Sequence, residues 1–480
     1  MTQTPDHDAR RTLELLGPAP ENWVPDRPGI DHNVLIVGGG QSGSAFAFAL
    51  RRAGIGRVSV IDAAADASGA GVWRTRARMN KLRTPKALVG PETGLPGLGF
   101  QAWYEARFGA QSYREIDRIP REQWADYLAW YREFLEIPIR YATRLVRIEP
   151  LDSALDTSFR LHLEVNGEAR VETARKVVLC NGVAGNGGAF VPQVLASLPA
   201  ARVAHTSQAI DFAALHGKSV AVLGGAASAF DAAATALEAG AANVHLFVRR
   251  ATLAAVPVSR ARAYPGAYDN YFDLPDAVRW SQALRFKRSG STAPLDSIER
   301  VTRFANFHLH PATQWESARE EAGQIAARTT EGETFQFDFA IAGTGYFIDP
   351  SARPELAGFA SHIRLWRDQY TPPADDADDG LGAHPYLGSG LEYLEKTPGR
   401  APYLRDIHVY NPAGFVSAGV PVGDVPSMKR DIPSVVRRIS RDLFLGDLAA
   451  HEARLTAPVP ADFDESAYAS SVWQREASSA

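Results

Sequence analysis

The chain has 480 residues, a net charge of −4, 45% hydrophobic residues and 22% charged ones, proportions of an ordinary globular protein long enough for two or three domains. It has no basic run interleaved with aromatics, which argues against nucleic acid as a partner, and no apolar stretch approaches the roughly 20 residues needed to cross a bilayer. The only cysteine is Cys180, which excludes a disulfide or a CxxC redox pair within the chain.

The opening segment, MTQTPDHDARRTLELLG, lacks a signal-peptide apolar region, so the expectation is a cytoplasmic protein with an N-terminal extension over 1–30. The first informative element is VLIVGGGQSGSAFAFAL at 34–50. Val34 to Val37 suit a strand buried on both faces, and Ser42 to Ala53 suit a helix of small residues. Between them Gly38 permits a tight turn, Gly40 lets a pyrophosphate approach the backbone, and Gly43 lets the helix pack close to the strand. The phosphate then faces the helix N-terminus, where Ser42 joins the expected contacts. The next predicted strand, Arg57 to Ile61, leads to Asp62, nineteen residues beyond Gly43, and an acid there accepts hydrogen bonds from a ribose.

An irregular Gly/Pro-rich stretch, 84–100, reads as loop, and 121–136 as a helix with Trp124, Tyr127, Leu128, Tyr131 and Leu135 on one face, a stripe that reads as core. Strands then lead to KVVLCNG, 176–182, where Cys180 reads as a small buried hydrophobe.

A second glycine turn follows in VAVLGGAASAFDAAATAL, 220–237. Gly224 keeps the first glycine, Ala226 replaces the second, Ser228 lies in the turn and Ala229 takes the tolerated third position. The strand after it, Asn243 to Val248, ends in Arg249 and Arg250 where the first unit has Asp62. A guanidinium there pairs with a 2′-phosphate, which points to NADP rather than NAD. A strand end like KVVLCNG recurs in FAIAGTGY, 339–346, and chain crossings are expected near 183–205 and 343–350.

The expected fold is therefore α/β with two Rossmann-like dinucleotide-binding domains, the NADP domain inserted into a discontinuous FAD domain. The FAD-binding domain covers 31–200 and, with substrate-covering segments, 346–480; the NADP-binding domain covers 201–345. Near the C-terminus, in 417–444, Asp431 is expected to cap a helix with Pro433 in its first turn.

With GGGQSG at 38–43, GAGVW at 69–73, LCNG, AGTGY and GGAASA at 224–229, the chain resembles the flavin-dependent monooxygenases of the two-dinucleotide-binding-domain superfamily, near the flavin-containing and N-hydroxylating branches. The resemblance implies FAD on the first turn with Trp73 and Asp424 among its contacts, Gly423 and Asp424 holding the ribityl chain, NADPH on the second turn, and Gly345 of the AGTGY hinge among the cofactor-binding residues. It further implies that NADPH reduces the flavin and that molecular oxygen then gives a flavin hydroperoxide, which oxygenates a small organic substrate. The Phe-x-Gly-x-x-x-His segment of the flavin-containing and Baeyer–Villiger branches is replaced by LPAARVAHTS, 198–207, where Pro199 and Ala201 stand for the Phe and Gly and His205 remains. That departure argues against a usual Baeyer–Villiger enzyme and leaves nitrogen or another heteroatom open as the target. No Ser/His/Asp or metal constellation stands out, so no catalytic acid, base or metal ligand is nominated. Two alternatives remain at this point: an NADPH reductase or oxidase on the same nucleotides, and a non-catalytic redox sensor, which Ala226 encourages.

Overall fold

The computed structural model describes residues 4–153, 156–262 and 264–474. The apolar run after His32 forms β1, His32–Val37, with Val34, Leu35 and Ile36 wholly buried. Burial on both faces calls for strand neighbours on both sides: β2, Val58–Ile61, and β8, Glu168–Leu179, each pair with β1 in parallel. Beyond β2 lies β5, Ile139–Arg140. On the other side β6, Thr143–Ser153, and β7, Asp156–Val165, form an antiparallel meander with β8. A strand from the far end of the chain, β19, Ile407–Val409, also pairs with β8 in parallel, Ile407 opposite Val177. One seven-stranded sheet therefore draws on both ends of the sequence.

A second sheet, all parallel, lies between residues 203 and 342 in the order β10-β17-β11-β12-β13: Val203–His205, Phe339–Ala342, Ser219–Leu223, Asn243–Phe247 and Phe307–His310. A three-stranded antiparallel sheet packs beside it, β14 to β16, Trp315–Glu321, Gln324–Thr329 and Thr334–Phe337. The two chain passages between the large sheets pair with each other as an antiparallel ribbon, β9, Gly187–Ala189, against β18, Tyr346–Ile348. A last pair, β3, Lys81–Pro85, and β4, Arg118–Pro120, gives the 84–100 stretch an ordered edge that its composition did not announce.

The helices that matter for the site are α2, Gln41–Arg52, and α4, Ala227–Glu238, each directly after a glycine turn. Two others flank them: α1, Pro5–Leu16, and α3, Arg121–Phe134. The extension before residue 30 is tied down. Ala9 of α1 is fully buried, Trp130 of α3 donates to Asp6 at 2.9 Å, and a Cβ on Gly97 would lie 2.2 Å from the Asp8 carbonyl oxygen. The aromatic stripe of α3 is core, with Trp124, Tyr127 and Tyr131 buried among Phe100 and Trp103.

The C-terminal helix corrects the expectation about its start. It runs over Val425–Gly446 (α6), with Asp424 at the N-cap and Pro426 in the first turn, so Asp431 and Pro433 lie inside it. Two Asp/Pro pairs of similar spacing occur here, and the earlier one wins. Asp431 instead sits buried against the Arg430 guanidinium at 2.5 Å and has no role as a cap. Among the described residues no helix is long and apolar enough to cross a membrane.

Asp447, just after α6, is buried and accepts from Arg175 of β8 at 2.8 Å and from Arg27 at 2.6 Å. It thereby fastens the N-terminal arm and the C-terminal helix to the sheet. Removing one partner leaves a buried charge uncompensated, which typically costs about 3–5 kcal/mol. Asp447→Ala is expected to lower unfolding stability by about that much in urea melts; a change within experimental error would contradict this role.

Candidate functional site

Both glycine turns are built the same way. Gly38 has φ 111° and Gly224 φ 143°, a region that disfavours a side chain. Gly38 N–H donates to the Ile61 carbonyl at 2.7 Å, and Gly224 N–H to the Phe247 carbonyl at 3.0 Å, which closes each turn onto the next strand. A Cβ on Gly38 would lie 2.3 Å from the Cys180 carbonyl oxygen, and one on Gly224 would lie 2.2 Å from that of Gly343. The first glycine of each turn is thus needed for conformation and for contact with the neighbouring strand end.

The third position differs between the turns. A Cβ on Gly43 would sit 1.9 Å from the Gly38 carbonyl oxygen, so only glycine fits there. In the second turn Ala229 fits because its methyl faces Gly343, where a Cβ would come within 2.6 Å of it. Gly343 of the AGTGY segment is therefore what makes room for the alanine.

Around the first turn, a Cβ on Gly40 would meet only Gly71 Cα at 3.6 Å, and one on Gly71 only Gly40 Cα at 3.7 Å, so two bare backbones face across a slot. No side chain caps the N-terminus of α2, which leaves its first N–H groups pointing toward that slot. Beside it, Gly40, Gln41, Ser68, Gly71, Trp73 and Tyr141 line a hollow of about 450 Å³. Asp62 is held in place by two backbone donors, Gly39 N–H on Oδ2 at 2.7 Å and Ala64 N–H on Oδ1 at 2.8 Å. Gln41, which the sequence reading passed over although it stands inside GGGQSG, joins three segments. Its Oε1 accepts from the Trp73 and Trp124 indoles at 3.2 Å each, and its Nε2 donates to the Gly423 carbonyl at 3.1 Å. These residues fit a dinucleotide with an extended pyrophosphate.

The second turn opens on a cavity of about 750 Å³ that brings together Gly224, Ala226, Ser228, Arg249, Arg250 and Gly345. Ala226 is extended at φ −107°, so its backbone needs no glycine, and it lines the cavity. The two arginines differ. Arg250 donates to the carbonyls of Ser289 and Arg288 at 2.9 and 2.8 Å, at the C-terminal end of a helix (α5, Asp276–Ser289), so its charge is engaged in the fold. Arg249 is exposed and forms no hydrogen bond or ion pair among the described residues.

The ribbon carries the hinge contacts. Buried His205 holds a hydrogen bond of 2.9 Å to the Gly345 carbonyl through Nε2, and Nδ1 accepts from Ser207 N–H at 3.1 Å. Burial keeps this imidazole below its ordinary pKa, so it acts as a neutral tie. Cys180 follows β8, partly buried against the core, and burial pushes its thiol far up, which removes thiolate reactivity.

Asp424 stands at the N-cap of the C-terminal helix, next to Gly423, whose carbonyl accepts from Gln41. Loss of water around it raises its carboxyl to about 6, with the Arg83 guanidinium opposing the shift. A larger hollow of about 950 Å³, between Asp8, Lys86, Glu92 and Phe100, lies apart from both turns. Its polar groups are engaged elsewhere: Lys86 on the carbonyls of Tyr113 and Ile116 at 2.6 Å, and Glu92 on Gly90 N–H at 2.9 Å.

A mixed sheet assembled from both chain ends, a parallel sheet between them and a glycine turn on each define a two-nucleotide α/β protein of the flavoprotein type. Residues 36–83 match the model of an NAD(P)-binding Rossmann-like domain, and residues 104–304 that of L-lysine 6-monooxygenase/L-ornithine 5-monooxygenase. The chain is 40% identical over 449 residues, 93% of each chain, to the FAD-dependent urate hydroxylase of Xanthomonas campestris pv. campestris. Among solved structures it is similar in fold to the ornithine hydroxylase of Pseudomonas aeruginosa (TM-score 0.64, 20% identity, covering 86% of this chain and 99% of that one). The L-lysine 6-monooxygenase of Pseudomonas syringae is also similar (TM-score 0.63, 16% identity, 86% and 99%). The chain belongs to the family of FAD-dependent monooxygenases that includes the Xanthomonas hydroxylase. It is an NADPH-consuming flavin monooxygenase that oxygenates a small organic substrate with molecular oxygen.

Two outcomes follow from this geometry. Gly43→Ala places a methyl on the Gly38 carbonyl and is expected to abolish FAD retention, read as loss of absorbance near 450 nm after desalting; full flavin content would contradict the packing. Because the Asp424 pKa is raised in the folded state, its ionisation opposes folding as pH rises from about 4 through 6. The stability of Asp424→Asn relative to the parent should therefore improve over that window and level off above it in thermal melts; a gap that moves the other way would contradict the assignment.

Proposed function

We propose that this chain hydroxylates urate, using NADPH and molecular oxygen. The observation that carries the reading is 40% identity to a urate hydroxylase across 93% of both chains. Hydroxylation consumes urate, oxygen, NADPH and a proton and gives hydroxylated urate, NADP⁺ and water. Each ring nitrogen of urate has its lone pair delocalised into a carbonyl, whereas the central carbon–carbon double bond is electron-rich, so carbon is the atom that accepts oxygen. Bound together, the two cofactors supply hydride transfer and oxygen activation.

The residues take the following roles in this reading. Gly38, Gly40, Ser42 and Gly43 present the α2 N-terminus to the FAD pyrophosphate, and Asp62, oriented by Gly39 and Ala64, accepts from the adenosine ribose. Trp73, held by Gln41, walls the slot, and Asp424 with Gly423 receives the ribityl chain. Gly224, Ala226, Ser228 and Ala229 present the α4 N-terminus to the NADPH pyrophosphate, with Gly345 at the cavity edge. Arg249 is the cation for the 2′-phosphate, and Arg250 braces the α5 end that adjoins it. Phe190, Trp315 and Tyr346 in the cavity wall exclude water. The FAD-binding parts are 31–200 and 346–480, the NADP-binding part is 201–345, and 1–30 is an N-terminal extension. We place the reaction in the cytoplasm, where NADPH is supplied, with no nucleic acid or membrane involved.

The test is turnover of urate in ¹⁸O₂. Urate loss should match NADPH consumption in equimolar amounts, with the label in the product; unchanged urate and release of all electrons as hydrogen peroxide would overturn the reading. Arg249→Ala should raise KM for NADPH by about tenfold or more, as expected for loss of one charge-assisted contact, with KM for NADH unaltered. An equal effect on both cofactors would remove Arg249 from the 2′-phosphate site.

A further inference from the structure

Arg83 belongs to no motif, and the sequence reading gave it no role. It lies on β3, in the first part of the chain, yet lines the 750 Å³ cavity together with Gly224, Ala226 and Tyr346. Its Nη2 donates across the chain halves to the carbonyl and hydroxyl oxygens of Thr292 at 2.7 and 3.3 Å. Nε and Nη1 donate to no group among the described residues. Arg83 is exposed at the cavity wall, and among the carboxylates that act on it Asp424 leads. One guanidinium is therefore anchored by one nitrogen at the wall of the second-turn cavity, with Nε and Nη1 left without partners among the described residues.

The other cations lining this cavity narrow the choice. Arg250 is engaged by helix-end carbonyls, and Lys287 is paired with Asp378. Arg249 lies just after β12, where the cofactor's 2′-phosphate is expected, and is given to that group in the reading above. Arg83 is thus the cation of this cavity that keeps donors to offer a second ligand, with Asp424 the carboxylate that acts on it most strongly.

We propose that Arg83 is a specificity-determining residue that holds the anionic edge of a planar ureide substrate of the urate type. Urate carries a negative charge at neutral pH and offers carbonyl oxygens and a deprotonated nitrogen in one plane. A planar, permanently charged fork matches that edge, and a lysine ammonium does not. The Thr292 anchor fixes the guanidinium before substrate arrives, which limits the entropy lost on binding. The proposal rests on the urate reading above.

The test uses oxidised, FAD-loaded enzyme, with urate binding followed by the change in flavin absorbance, and the parent compared with Arg83→Gln and Arg83→Lys. Flavin content after desalting and anaerobic bleaching by NADPH serve as controls for folding and cofactor binding. Arg83→Gln should weaken urate binding about 10- to 100-fold, the range for a lost charge-assisted hydrogen bond, while the rate and NADPH dependence of bleaching stay within about twofold, well inside the effect of one such contact. Arg83→Lys should fall between the two, since it restores charge without the fork. Uncoupled peroxide formation at fixed urate should rise in the same order. Unchanged urate affinity in Arg83→Gln, or weakened NADPH binding with urate affinity intact, overturns the role of Arg83 and leaves the urate reading standing. A parent enzyme that neither binds nor turns over urate overturns both.

Discussion

The structure depends on a backbone contact that occurs twice. In each half a strand ends in a glycine whose missing side chain lets it press against the carbonyl that follows the adjacent strand, Gly38 on Cys180 and Gly224 on Gly343. That approach sets how deeply the following helix sits, and so where its N-terminal N–H groups point. The remaining positions of each turn adapt to this contact. Gly43 must be glycine because Gly38 is already in its way, whereas Ala229 is accepted because Gly343 leaves a gap. The two turns solve one packing problem with different residues.

A two-nucleotide enzyme also has to hold its halves in register, and here arginines reaching for carbonyl oxygens do much of it. Arg78 donates to Thr206 and Gln208 at 2.6 and 2.8 Å, and Arg300 to the Arg78 carbonyl at 2.9 Å. Arg83 adds the bond to Thr292. Together with the β9–β18 ribbon and the His205 bond to Gly345, these contacts join two sheets that share no strand. Such hydrogen bonds to charged donors are worth more than neutral ones, yet each is partly exposed, so the junction is firm without being fused. A junction of that kind suits a pair of cofactors that must meet and separate.

Much of this was legible in the sequence where short-range chemistry decides the outcome. The strand, turn and helix at 34–50 and 220–237 follow from apolar runs and glycine spacing, and Asp62 and Arg249 from the strand that comes next. One local signal misled: Asp431 with Pro433 has the pattern of a helix start, yet α6 already begins at Val425 with Asp424 at its N-cap and runs through both. Long-range contacts left no local trace. Nothing in KLRTPK marks Arg83 as reaching Thr292, and nothing near residue 41 marks Gln41 as the shared acceptor of two indoles. Gly343 was visible within AGTGY, but its service to Ala229, more than a hundred residues away, was not. The opening helix α1 is fixed by contacts distant in sequence, Asp6 with Trp130 and the Asp8 carbonyl against Gly97, which leave no trace in residues 5–16 themselves.

The central claim is that electrons pass from the nucleotide on the second turn directly to the flavin on the first, which requires the two to meet in the cleft beside Asp424. Anaerobic stopped-flow bleaching of the flavin, with NADPH carrying hydrogen or deuterium at the transferred position of its nicotinamide, measures that passage most directly. The account predicts a bleaching rate that saturates with NADPH and slows on deuteration as a primary isotope effect. Absence of bleaching, or bleaching with no isotope effect at saturating NADPH that tracks an added electron carrier instead, would contradict it.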